Sequence, residues 1–282
     1  MTTLTSAWRH PINVSAHQKG GIHDDDTAQK LGFAGGTIAG SLHMEQFPPQ
    51  LIAHFGNDWW QRGNLSLYFK SATIEGDAVQ SELHTTDSEQ VRASMTTEDE
   101  RLVLEGTASL GEDGDSALRQ RLAAVRPASD LRMLADVKVG ETCKPLFTRA
   151  TDADIDERLR VITEPLAAYQ NAPQTYATHG GRVLPYAPLV HLFRAVEPSI
   201  APIKGDFVGL FGAIEIQYLN GPILSETDYL VSGEAVAVSE SPKTEILWYE
   251  ATLFDVATET PLARMIKMDR LMKDSSPLWS AA

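Results

Sequence analysis

The feature that most limits how this chain can fold is that it repeats itself. Asn64-Leu-Ser-Leu-Tyr-Phe69 leads through Ala72-Thr-Ile-Glu-Gly-Asp-Ala-Val79. Later, Ala213-Ile-Glu-Ile-Gln-Tyr-Leu219 leads through Gly221-Pro-Ile-Leu-Ser-Glu-Thr-Asp-Tyr-Leu-Val231. Tyr68 and Tyr218 are 150 positions apart, and Asp77 and Asp228 are 151 apart. Each pair of runs is followed by two more strand-like segments: Gln90–Met95 and Leu102–Leu110 in one copy, Glu245–Phe254 and Leu262–Met268 in the other. Polar turn residues separate them, which predicts an antiparallel meander. Each set is preceded by an apolar segment at helical period. The first is Ile38–Phe47, continuing past Pro48-Pro49 through Leu51, Ile52 and Phe55, and the second is Tyr186–Val196. Both carry apolar residues on most faces, as a helix does when a sheet wraps around it.

The chain therefore reads as two copies of one α+β unit, residues 1–115 and 135–282, with a connector at 116–134. The polar run Gly111–Ser116 leads into the connector, and Ala117–Val125 is helix-compatible.

Composition narrows the function classes. With 24 Lys+Arg against 38 Asp+Glu, the net charge of −14 argues against nucleic acid or an anionic membrane as a partner. The one cysteine, Cys143, excludes an intramolecular disulfide framework and a Cys-rich metal centre. Met1–Val14 has no apolar run of the signal-peptide kind, and no uninterrupted apolar stretch reaches membrane length, so a cytoplasmic protein is expected. Walker, Gly-x-Gly-x-x-Gly, Gly-x-Ser-x-Gly, His-x-x-x-His and Cys-x-x-Cys patterns are absent, so no cofactor and no metal are expected.

The segment before the first helix carries a more specific signal. His23-Asp-Asp-Asp-Thr-Ala28 is followed by Leu31-Gly-Phe-Ala-Gly-Gly-Thr-Ile-Ala-Gly-Ser41. Its outline of His23, Ala28, Gly32-Phe33, Gly35 and Ile38-Ala39-Gly40 resembles the MaoC-like family of (R)-specific enoyl-CoA hydratases, which shows Gly-Asp-x-Asn-Pro-x-His, then Gly-Phe-x-Gly and Ile-Ala-His-Gly. The resemblance implies a double hotdog: two long central helices, each wrapped by a curved antiparallel sheet. It also implies a hydratase or dehydratase acting on an acyl thioester, delivered by CoA or by a carrier protein, with a homodimer as a compatible assembly. The chain departs from the family pattern where the catalytic Asp belongs, which is Gln18 here, and where Asn-Pro becomes Gly20-Gly21.

Hydration of an enoyl thioester needs a base for water and donors for the thioester oxygen. His23 with Asp24 or Asp25 fits a base–orienter pair, although consecutive aspartates equally suit a helix cap. His17, six residues upstream, is a second candidate. Gly35, Gly36, Gly40 and Ser41 permit close backbone approach of a carbonyl, or simply a tight helix entry. His43 within the helix is a site candidate or a hydrogen-bonded core residue. In the second copy, His179 and Arg182 occupy the corresponding stretch before the helix. Arg182, Lys204, Arg62 and Lys70 are candidate phosphate contacts or ordinary surface charges. A thioesterase and a non-catalytic acyl-ligand binder remain as alternative functions, and the negative charge weighs against anionic CoA.

Overall fold

The computed structural model describes residues 2–85, 89–112, 114–171 and 181–280. Among them, ten strands make one antiparallel sheet. The first copy supplies β1 (Thr2–Thr5), β2 (Gly63–Phe69), β3 (Val79–Thr85), β4 (Val91–Thr97) and β5 (Leu102–Leu110). The second supplies β6 (Leu146–Ala150), β7 (Gly209–Tyr218), β8 (Thr227–Glu240), β9 (Thr244–Asp255) and β10 (Pro261–Met272). Their spatial order is β1-β3-β4-β5-β2-β7-β10-β9-β8-β6. Reading outward from the centre, both halves run in the same sequence, so β2 corresponds to β7 and β1 to β6.

Register makes the symmetry quantitative. At the central seam Leu65 faces Ile216 and Ser66 faces Glu215. The 150-residue shift read from the sequence exchanges these two pairs, so a pseudo-twofold axis passes between them. The outer strands alternate inward and outward side chains, as in β4, where Val91, Ala93, Met95 and Thr97 are buried. The central β2, and β7 from Gly212 onward, are buried nearly throughout, because sheet neighbours flank them on both edges and other elements cover their faces.

Two expectations change. The meander holds for β3-β4-β5 and β8-β9-β10, but β2 pairs with β5 and β7 rather than with β3. Residues 70–78 are too long for a hairpin and carry the chain across the sheet. The first apolar segment is also not one long helix. It divides into α2 (Gly40–Met44) and α3 (Pro48–Phe55). Pro48 and Pro49 lack the amide donors that a continuing helix needs, so they begin a new one. Before these lies α1 (Asp25–Lys30), and after them α4 (Trp59–Arg62) leads into β2. The connector contains α5 (Ala117–Ala123), capped by Ser116, whose hydroxyl accepts from the Arg119 amide.

In the second copy, α6 (Asp152–Leu159), α7 (Tyr186–Arg194) and α8 (Glu197–Ile200) take the helix side. Met44, Phe47, Leu51, Leu189 and Phe193 meet the sheet in one core. A charged group joins the halves within it. Arg158 of α6 binds both oxygens of Glu45, with Nη2 to Oε2 at 2.7 Å, and the Ala187 amide of α7 donates to Glu45 at 2.9 Å. No described helix is long and apolar enough to cross a membrane.

Candidate active site

The loop before each main helix is tied to the sheet by the same bonds in both copies. Thr37 N donates to Ile22 O at 3.0 Å, as Val183 N donates to Ala168 O at 2.9 Å. Ile38 N donates to Thr73 O at 2.8 Å, as Leu184 N donates to Ile223 O at 3.1 Å. Bridges Thr37–Ile74 and Val183–Leu224 complete the match. Position by position, His23 therefore corresponds to Tyr169, Gly40 to Tyr186, His43 to Leu189 and Thr73 to Ile223.

In the first copy this arrangement borders a cavity of about 650 Å³, lined by His23, Thr37, Gly40, His43 and Thr73. Its far wall comes from the second copy, including Leu210, Phe211 and Met272, where the start of β7 and the end of β10 meet the end of β2. In the second copy the corresponding position is occupied by packed aromatics. Tyr169, Tyr186, Trp60 and Tyr218 are buried, and the Trp60 ring lies edge-on to Tyr169 and Tyr218.

His23 is held through Nδ1, 2.7 Å from the Thr37 carbonyl oxygen. A carbonyl only accepts, so in the neutral ring Nδ1 carries the hydrogen and Nε2 keeps its lone pair. The orienting group is thus backbone, and no neighbouring aspartate performs that role. Asp24 accepts from Lys19 Nζ at 2.6 Å and from Thr27 Oγ1 at 2.8 Å. The Lys19 ammonium is the first cause that holds its carboxyl down to about 2. Asp25 accepts from the Gly36 amide at 2.7 Å and so fastens α1 to the loop before α2.

The other candidate residues separate clearly. His17 is exposed and does not border the cavity. Gly36 and Gly40 answer to packing: a Cβ on Gly36 would strike the His23 carbonyl, and one on Gly40 would sit 2.6 Å from the Phe69 ring. Gly35 and Ser41 are buried beside them. His43 is buried on the cavity wall, with Nε2 2.7 Å from Thr73 Oγ1. Burial pushes its pKa down to about 4, so it is neutral. His179 lies outside the described residues. Arg182 is turned away from the cavity, with Nε donating to Tyr169 O and Nη2 paired to Asp156.

Arg62 and Lys204 are paired with Asp58 and Asp136 and stand apart from the cavity. Lys70, although paired with Glu105 at 3.4 Å, lines it, together with Lys243 and Arg270, which the sequence did not single out. Arg270 Nη2 donates to Tyr68 Oη at 2.6 Å and has no carboxylate within ion-pairing distance among the described residues. These cations converge from the end of β2, the β8–β9 turn and the end of β10. The protein is acidic as a whole, but this opening is locally basic, and no described carboxylate lines the cavity.

No family model matches the sequence, and none of the curated proteins does. Solved structures do. A Chloroflexus aurantiacus J-10-fl protein assigned as a MaoC domain dehydratase superposes with a TM-score of 0.62 at 13% identity, covering 96% of this chain and 94% of that one. Rv0216 of Mycobacterium tuberculosis, described as having a double hotdog fold, also gives 0.62, at 12% identity and with 96% of both chains covered. A MaoC-like dehydratase gives 0.51 at 14% identity, covering 94% and 97%. Such likenesses at low identity speak to architecture, and with the repeated helix-on-sheet units and the central β2–β7 seam they lead to one conclusion: the chain has the double-hotdog fold.

Proposed function

We propose that the chain is a hydratase/dehydratase of the MaoC-like class, adding water reversibly across the double bond of a 2-enoyl thioester. The observation that carries this reading is His23, whose Nδ1 lies 2.7 Å from the Thr37 carbonyl oxygen and donates to it while the ring borders the cavity. Nε2 is then available to take a proton from water as the water oxygen bonds to the β-carbon. The same proton is returned to the α-carbon, so the elements of one water are added and nothing is oxidised. Lys70, Lys243 and Arg270 supply the local positive charge that an anionic thioester such as a CoA ester requires. They answer the objection raised by the −14 net charge.

A thioesterase of the carboxylate-dependent kind is disfavoured, because no described carboxylate lines the cavity. The test is consumption of a 2-enoyl-CoA, followed by loss of the conjugated thioester absorbance, with free thiol measured in parallel. Hydration without thiol release, abolished in His23→Ala, supports the reading. Thiol release would assign a thioesterase instead, and tight binding without turnover would assign a non-catalytic binder.

A further inference from the structure

The cavity wall contains a second polar unit that the fold does not require. His43 and Thr73 are 3% and 1% exposed, and their side chains are joined at 2.7 Å. Burying such groups is unfavourable unless they are bonded, and an apolar pair costs nothing comparable. The second copy provides an internal comparison: the same helix and strand positions are filled by Leu189 and Ile223, both buried in the core. The same scaffold thus packs with Leu and Ile where the described residues leave no open cavity, and with His and Thr where they do.

The hydrogen bonds also have a direction. The Gln46 amide nitrogen, which only donates, lies 3.2 Å from His43 Nδ1. With the Gln46 amide in this orientation, which leaves its Oε1 buried without a hydrogen-bond partner among the described residues, Nδ1 is the acceptor and the ring hydrogen sits on Nε2, donated to Thr73 Oγ1. Having accepted from His43, the Thr73 hydroxyl has its own hydrogen to give. Among the groups that line the cavity, His23 can therefore accept through Nε2, and the Thr73 hydroxyl can donate. Both are tied to the same short ladder, since His23 binds the Thr37 carbonyl and the Thr73 carbonyl accepts from Ile38. A donor set against the attacking water would weaken it as a nucleophile. A donor set against the thioester oxygen stabilises the negative charge that reaches that oxygen when the β-carbon is attacked.

We propose that the Thr73 hydroxyl donates to the thioester oxygen of the substrate and that His43 is the positioning residue that aims it. The inference rests on the hydratase reading and assigns to a side-chain pair the role expected from the helix-entry glycines, whose missing Cβ atoms are explained by contacts with His23 and Phe69. In the step, water oxygen bonds to the β-carbon as His23 takes a water proton. The π pair moves through the α-carbon to the thioester oxygen, where Thr73 donates. The pair then returns as the α-carbon receives the proton from His23.

The test compares Thr73→Val, Thr73→Ser and His43→Leu in the full chain. Removing the donor in Thr73→Val is expected to lower kcat about 100-fold, with KM changed less than about threefold, as for other oxyanion donors. Thr73→Ser keeps a hydroxyl and restores turnover to within about fivefold of the parent on the same ground. His43→Leu, which copies Leu189, lowers kcat and leaves KM in place. Thr73→Ala repeats the deletion should the valine variant not fold. A second readout needs no turnover: the infrared carbonyl stretch of ¹³C-labelled butyryl-CoA, bound to the protein. It shifts to lower frequency in the parent and returns toward its free value in Thr73→Val and His43→Leu. A shift retained in both hydroxyl-free variants overturns this proposal while leaving the hydratase reading intact. Failure of the parent to bind any acyl-CoA overturns both.

Discussion

Tyr169 stands in the second half where His23 stands in the first, each following a residue whose carbonyl accepts the matching backbone bond from Val183 or Thr37. One position carries a titratable ring on an open cavity, and the other a phenol buried against Trp60. The duplication therefore supplies the scaffold twice and, among the described residues, this accessible site once.

Replacing His23 by Ala is expected to reduce enoyl-thioester hydration by about 10²- to 10⁴-fold, the usual contribution of a positioned base. Far-ultraviolet circular dichroism should not change, because His23 is only partly buried. Rates within a factor of three of the parent would remove His23 from the mechanism.

The basic opening should affect binding more than chemistry. Arg270→Ala and Lys70→Ala are each expected to raise KM for an acyl-CoA by about tenfold, the value of one hydrogen bond to a charged group. The increase should shrink as salt is added, and for a truncated, uncharged thioester the same variants should show little change. Steady-state kinetics at two ionic strengths checks both points.

Glu45 and Arg158 join the halves from within the core. Glu45→Ala leaves the guanidinium buried without its partner and is expected to destabilise the protein by about 3–5 kcal/mol. The double replacement Glu45→Met with Arg158→Met removes both charges and should cost clearly less. Urea unfolding of the three proteins decides it. A double variant as unstable as the single one would show that the charged pair itself is needed.

Two acid-side losses of stability should be separable by pH. Burial depresses the His43 pKa from 6.5 to about 4, so the unfolded chain takes up a proton in that interval and the folded one does not. Stability therefore falls as pH drops from about 6.5 to about 4, by about 3 kcal/mol at the low end, and this component is absent from His43→Leu. Asp24, held down to about 2 by Lys19, contributes stability present above its ordinary value of 3.8 and lost as pH falls toward 2. Asp24→Asn should therefore remove the lower interval only. Denaturation midpoints across pH 2–7 in the three proteins test the assignment.

Several features of the fold were legible because their causes are local. The apolar run that opens the strand-like segment Leu102–Leu110 and the apolar period in Tyr186–Val196 arise from neighbouring residues, so strand β5 and helix α7 follow from them. The spacing of Tyr68 and Tyr218 revealed the duplication, and the structure places these residues at matching points of β2 and β7. The strand β1 was not legible, because Thr2–Thr5 is short and mostly exposed and is a strand only through its pairing with β3. The aspartates beside His23 were misleading for a related reason. Sequence adjacency suggested that they orient its ring, whereas folding brought the Thr37 carbonyl to Nδ1 and gave Asp24 to Lys19.

The sequence by itself determined the repeated unit, most of its strands, the helix α7 and the histidine that precedes the first helix, since periodicity and local motif require no partner. Tertiary structure alone decided which copy holds an open cavity, because that depends on whether Gly40 faces Phe69 or Tyr186 fills the corresponding space. It also decided the charge of the site. Lys70, Lys243 and Arg270 are separated by up to 200 residues, and antiparallel pairing of β2, β7, β10 and β9 brings their strand ends to one opening. A net charge sums over the whole chain, whereas a ligand meets only the few charges that the fold places around it.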